Sequence, residues 1–229
     1  MAKTDSNEIA LWDREYADLK VIPSSERRTP SKALLLFAEL LDYGHFKRVL
    51  DSGCGNGRNA VYLARKGCEV QAVDFSSVAV SKARHEVESQ GLVDRVQLYY
   101  RSVLDTLPFP AEYFDLVLDS YVFCHFLGND RENYRRNMQL LTKPDGYFML
   151  SVFPPEDGYY GPMPRIHAGE SIVKDPNNGL SKRLYTEREI EEYFSPDFQV
   201  VYSTSFRFND TVRKETYLRR VLTIVFRRR

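Results

Sequence analysis

Cysteine is scarce in this chain of 229 residues, with only Cys54, Cys68 and Cys124. The odd count and the lack of any C-x-x-C pair argue against a disulfide framework and predict free thiols in a reducing compartment. Long apolar runs are missing too. No stretch reaches the ~18 apolar residues of a membrane-spanning helix. The opening Met-Ala-Lys-Thr-Asp-Ser-Asn-Glu has no apolar signal core, so a soluble, cytoplasmic chain is expected. Neither sign of charge is in excess: Lys+Arg and Asp+Glu are both 32. That balance removes the global pull toward nucleic acid or anionic membrane. Arg227, Arg228 and Arg229 follow an apolar strand and read as residues that keep a sheet edge soluble. There is no internal repeat, no low-complexity tract, and no carboxylate and histidine cluster at metal-ligand spacing.

What is present is alternation. Hydrophobic content of 43% and aromatic content of 13% suit one large α/β domain or two small ones. Short apolar strands are expected at 48–52, 69–74, 96–100, 114–119 and 147–153. Between them lie helices at 58–66, closed by Gly67, at 77–90, capped by Ser76 or Ser77 and ended at Gly91, and at 131–141. Such alternation predicts a doubly wound, Rossmann-like, mainly parallel seven-stranded sheet with helices on both faces. Two late β-rich stretches, 198–203 and 217–226, have no helix between them and predict an antiparallel edge hairpin at the C-terminus. Thr186 and Glu189 form a capping box for a helix reaching Phe194.

Upstream, Ile9, Leu11, Trp12, Tyr16 and Leu19 stand at helical spacing, and Thr29-Pro30 marks the expected cap of a second helix running through Leu41. Residues 1–44 therefore read as a helical lid and first helix, and 45–229 as the ligand-binding domain. Residues 154–183 hold five of the eleven prolines and four glycines, which predicts a lid on the substrate side.

Residues 49–58 read Val-Leu-Asp-Ser-Gly-Cys-Gly-Asn-Gly-Arg. A dinucleotide turn spaces its glycines G-x-G-x-x-G and offers amides to a pyrophosphate. Here the spacing is G-x-G-x-G, and Asp51 stands at its mouth, where it would repel a phosphate and attract a cation. A ligand with an ammonium and a sulfonium, such as S-adenosylmethionine, satisfies that charge. Asp51 and the Gly53, Cys54, Gly55, Gly57 backbone face its methionine half, and Arg58 meets its carboxylate. Asp74, ending the second strand, is placed to accept ribose hydroxyls, with Phe75 beside the adenine.

Val49–Ala60 with Val73-Asp74 resembles the class I S-adenosylmethionine-dependent methyltransferases. Leu107-Pro108-Phe109, Phe114-Asp115-Leu116-Val117 and Lys143-Pro144-Asp145-Gly146-Tyr147 recur in that family's order, so the resemblance covers about residues 45–153. The Gly-Arg-Asn-Ala continuation and the tail are more loosely similar to tellurite-resistance and thiopurine-type small-molecule methyltransferases. The resemblance implies S-adenosylmethionine as cofactor, S-adenosylhomocysteine as product, and adenine contacts at Ser102 and Val103, where the family often has an acid instead of the serine. Asp119 and Ser120 complete the implied cofactor set. Ser52 departs from the family's usual aliphatic residue.

Methyl transfer from a sulfonium is an in-line displacement governed by alignment and exclusion of water. The acceptor is expected beyond the fourth strand, along residues 119–126. His125 is the first candidate base and His167 the second; Trp12, Tyr16, Tyr121, Tyr159 and Tyr160 are candidate acceptor contacts. His45 and His85 read as surface residues and Cys124 as core. No Asn-Pro-Pro-Tyr tetrapeptide follows the fourth strand, which in this family argues against DNA-base and glutamine methylation. A small-molecule acceptor is expected, with no nucleic-acid or membrane partner, in a monomer or homodimer. Methylation of a protein or tRNA, and a non-catalytic S-adenosylmethionine-binding protein, are the alternatives.

Overall fold

The computed structural model describes residues 6–166 and 170–229. Its main sheet has seven strands: β1 (Arg48–Ser52), β2 (Glu69–Asp74), β3 (Val96–Tyr100), β4 (Phe114–Ser120), β5 (Thr142–Val152), β8 (Phe198–Val212) and β9 (Glu215–Arg228). A separate two-stranded hairpin, β6 (Ile172–Lys174) and β7 (Ser181–Arg183), lies within the proline-rich segment. The strand order is β3-β2-β1-β4-β5-β9-β8, parallel through β5 and antiparallel thereafter. The order reverses beside β1, so the carboxyl ends of β1 and β4 open the crevice where such sheets bind ligands.

Period-two side-chain alternation builds two cores. Leu50, Val117, Phe148 and Ile224 face one side, toward α5 (Asn129–Leu141) and α6 (Glu187–Phe194). Their neighbours Val49, Leu116, Met149 and Val225 face the other, toward α2 (Lys32–Leu36), α3 (Arg58–Arg65) and α4 (Ser77–Ser89). Each side chain buried this way contributes ~1.5–3 kcal/mol. The near-continuous apolar strands are thus explained by burial on both faces. The three cysteines are free and buried. Among the described residues no helix is long and apolar enough to cross a membrane.

The elements follow the sequence reading with three differences. The second helix starts two residues later than the Thr29-Pro30 signal: the cap is Ser31, whose hydroxyl accepts from the Leu34 amide at 3.2 Å. It is also short, giving way to a 3-10 turn at Phe37–Glu39. The terminal hairpin is much longer than expected, because Val212 pairs with Glu215 across a two-residue turn. Arg213 and Lys214 both take positive φ there, 46° and 74°. Neither residue carries the Asn or Gly signature of such turns, so the sequence conceals it. Finally, the proline-rich segment is packed rather than open. Tyr159, Tyr160, Val173 and Leu184 belong to the core, and Asp157 forms a buried ion pair with Arg219 of β9 at 2.8 Å.

Candidate functional site

The turn after β1 is shaped by glycines where no side chain fits. Gly53 has φ +67°, and a Cβ there would lie 2.4 Å from a Val122 methyl. Gly55 has φ +56°, and its Cβ would lie 2.4 Å from the Tyr16 hydroxyl. The same turn is tied to β2: the Cys54 amide donates to the Val73 carbonyl at 2.9 Å, and the Gly55 amide to Asp74 Oδ2 at 2.8 Å. Gly55→Ala is expected to displace Tyr16 and to lower stability by about 1–2 kcal/mol, the strain of a left-handed alanine. Trp12 stacks on Tyr16 at 5.9 Å, so chemical denaturation and the tryptophan emission maximum together check the result.

Asp74 also accepts from the Ser76 amide at 2.8 Å. Burial pushes its pKa up to about 6, against the Ser76 and Gly55 amides. Its carboxylate retains acceptor capacity and lines the crevice beside Phe75. Behind the turn, Asp51 is fully buried and neither of its oxygens has a hydrogen bond of normal geometry. Burial raises its pKa to about 7, with the Arg58 charge the largest opposing influence. Arg58 donates to the Thr29 carbonyl at 3.1 Å and faces the crevice.

The crevice brings together ten of the residues singled out from sequence: Trp12, Tyr16, Gly53, Arg58, Asp74, Phe75, Ser120, Tyr121, His125 and Tyr160. The others stand outside its lining. Cys54, Gly55 and Gly57 form the turn's inner side. Ser102 accepts from the Leu104 amide at 3.2 Å, and Val103 is in the core. The Asp119 carboxylate is spent on the chain: it accepts from Val122 and Phe123 amides at 2.8 and 2.9 Å and from the Tyr134 hydroxyl at 2.6 Å. It fixes the turn after β4 rather than lining the crevice. Tyr159 points instead to Asp175, donating at 3.0 Å. His167 lies outside the described residues.

His125 sits deep, edge-on to Trp12 at 4.9 Å. Its Nδ1 is 2.9 Å from the Ser181 carbonyl. A carbonyl only accepts, so Nδ1 carries the proton and donates, leaving Nε2 as an acceptor. Burial first, and the Lys182 charge second, hold its pKa well below the usual 6.5. The ring is neutral.

Sequence reasoning missed Lys182 on β7 and Arg27, Phe208, Asp210 and Arg219 around the hairpin, all of which line the crevice. Arg27 pairs with Asp210 at 2.6 Å and ties the N-terminal segment to β8. Their sequence surroundings offered no signal, since none belongs to a motif and each stands in a strand or loop. The bonds that gather them span 163 residues or more in some cases, as between Glu15 and Asn178.

A family model described as a methyltransferase domain matches residues 50–150. Thiocyanate methyltransferase 1 of Brassica oleracea is 30% identical over 68% of this chain and 66% of its own length. A methyltransferase of Schizosaccharomyces pombe, itself uncharacterized, is 33% identical over 47% of this chain and 72% of its own length. The chain spans about half to two thirds of the plant and Streptomyces relatives it matches. Among solved structures, the 1,6-didemethyltoxoflavin-N1-methyltransferase of Burkholderia thailandensis, with S-adenosylhomocysteine bound, has TM-score 0.69 and 22% identity. The likeness covers 100% of this chain and 92% of that one, and it shows the shared fold.

Proposed function

This chain belongs to the class I S-adenosylmethionine-dependent methyltransferases, a family of enzymes whose cofactor is S-adenosylmethionine, and from that premise we propose that it methylates a small-molecule acceptor by in-line displacement, mainly through positioning. The observation that carries the reading is the Asp51 carboxylate, fully buried directly behind the glycine turn with no hydrogen bond of normal geometry to either oxygen. An unpaired buried charge is costly unless a counter-charge completes it. The ammonium of the cofactor is such a charge, and Gly53, two residues after Asp51, lines the crevice.

When bound, the cofactor supplies a methyl group on a positively charged sulfur. The protein's residues then have separate tasks. Asp51 attracts the ammonium, Arg58 meets the carboxylate, and Asp74 accepts from the ribose beside Phe75. Tyr16 and Trp12, from α1 (Ser6–Arg14) and the π-turn after it, roof the crevice and exclude water. The described part of residues 1–44, from Ser6 on, serves as that roof, and the described parts of 154–183 as the acceptor-side wall. Tyr121, stacked on Phe153 at 4.6 Å, gives the acceptor a flat boundary.

A small acceptor is favoured by a crevice closed in by α1, β7 and the β8–β9 hairpin. The relatives named as thiocyanate and thiol methyltransferases support the same class. Calorimetric titration with S-adenosylhomocysteine is expected to show micromolar-range binding, and absence of binding would remove the proposal. Asp74→Ala should weaken that binding by about 1–3 kcal/mol, the loss for hydrogen bonds to a charged group.

A further inference from the structure

Three hydrogen-bond donors in the crevice have no acceptor: Trp12 Nε1, Lys182 Nζ and Arg219 Nη2. Lys182 is 2% exposed and Arg219 is 3% exposed. Both cations sit over the Tyr160 ring, at 4.9 and 5.0 Å from its centroid, and Lys182 is also 5.9 Å from the Trp12 ring. Arg219 has a counter-charge in Asp157. Lys182 makes no ion pair among the described residues, and its Nζ has no hydrogen-bond acceptor. Burial lowers its pKa, and Asp175 and Glu15 oppose that only through space, their hydrogen bonds being made elsewhere. Asp175 accepts from the Tyr159 hydroxyl and the Asn177 amide, and Glu15 from the Ile22 amide and the Asn178 side chain. The nearby Cys124 thiol, pushed up to about 12 by burial, is not an anion either.

A buried ammonium costs several kcal/mol unless a partner completes it. Three donors without a hydrogen-bond partner among the described residues, on residues that line one aromatic-walled crevice, suit something that only accepts. We propose that Lys182, with Trp12 and Arg219, holds the methyl acceptor as an anion, so that the acceptor arrives already ionised. The inference rests on the methyl-transfer reading for its chemistry. It also suits a site whose histidine is a weak base, the His125 pKa being held well below its usual value by burial. An ionised acceptor needs no base. Its lone pair forms the bond to the methyl carbon while the carbon–sulfur bond breaks and its electron pair leaves on sulfur. The acceptor's negative charge and the sulfonium's positive charge cancel, and no proton moves. The aromatic walls favour a small, weakly hydrated monoanion. His125, edge-on to Trp12, acts as a positioning residue.

The molecule carries its own reporter, since Trp12 is the sole tryptophan. Iodide serves as the probe, titrated into the full-length chain with and without S-adenosylhomocysteine while Trp12 emission is followed. Saturable quenching is expected, relieved by acetate but not by its neutral isostere acetamide. Lys182→Met, which keeps length and removes the charge, should raise the iodide midpoint at least tenfold. Its S-adenosylhomocysteine affinity should stay within about twofold, which also shows that the variant is folded; Lys182→Gln repeats the test with a polar side chain. Linear iodide quenching, equal in wild type and both variants, would overturn the anion site, as would equal relief by acetamide. Failure to bind S-adenosylhomocysteine with saturable iodide quenching intact would instead overturn the methyl-transfer reading and leave the anion site standing.

Discussion

Asp157→Ala is expected to lower the free energy of unfolding by about 3–5 kcal/mol, the penalty for stranding a buried charge whose partner is removed. Asp157 is 1% exposed and Arg219 is 3% exposed. One carboxylate there does several jobs. It receives Arg219 Nε at 2.8 Å, the Tyr160 amide at 2.9 Å, the Tyr159 amide at 3.2 Å and the Arg220 amide at 2.9 Å. Losing it leaves a guanidinium and three amides without an acceptor. Chemical denaturation measures the loss, and a buried pair predicts little dependence on salt between 0.05 and 0.5 M, roughly the range in which exposed pairs are screened. Asp157→Leu combined with Arg219→Met removes both charges and should recover part of the loss, but not all, because the amides remain unmet. A loss under about 1 kcal/mol in the single variant would place the pair among weak surface bridges instead.

Asp51→Asn is expected to act with opposite signs on stability and on binding. The folded pKa of Asp51 is raised from 3.8 to about 7 by burial. A carboxyl whose pKa is raised on folding binds its proton more tightly in the native state. Its destabilising effect is therefore absent at low pH and grows as pH rises from about 4 to 7. Three units correspond to a cost on the order of 4 kcal/mol above pH 7. Asn removes the charge but keeps a polar group without partners, so a gain of about 1–3 kcal/mol is expected at pH 8 and little change at pH 4. Affinity for S-adenosylhomocysteine moves the other way, falling by about 3 kcal/mol because the ligand's ammonium loses a buried counter-charge. In the wild type, that affinity should weaken as pH falls below 7, by up to about tenfold per unit where a proton must leave for binding. Calorimetry across pH 5.5–8.5, the range on either side of about 7, tests both. Equal affinities for wild type and variant at pH 8 would remove Asp51 from the cofactor's contacts.

The parts of this fold legible in the sequence are those encoded by neighbours in the chain. The Ser76 cap and the Thr186/Glu189 capping box rest on contacts within a few residues, and the β1 and β2 strands and the Gly53–Gly57 turn are announced by their own apolar and glycine patterns. Asp74 was readable for the same reason, since strand end and turn announce it together. Asp119 was misleading because position at a strand end does not reveal where the side chain spends its hydrogen bonds. Here they go to Tyr134 and the following turn. Lys182 and Arg219 were invisible because their meaning arises only when β7 and β9 are brought beside α1. The hairpin's length was hidden by a turn that uses Arg213 and Lys214 at positive φ.

The matched family segment ends at residue 150, close to where β5 ends at Val152. The residues proposed to hold the cofactor, Asp51, Gly53, Arg58 and Asp74, fall within that segment. Trp12, Phe153, Tyr160, Lys182 and Arg219 fall before or after it. The proposed acceptor contacts thus draw on the matched segment, through Tyr121 and His125, and on stretches to either side of it that meet only in the folded molecule. The N-terminal stretch is tied to the glycine turn as well: Tyr16 packs against Gly55, and Asp13 accepts from the Ser76 hydroxyl at 2.6 Å, so exchanging the flanks is expected to alter both halves of the site.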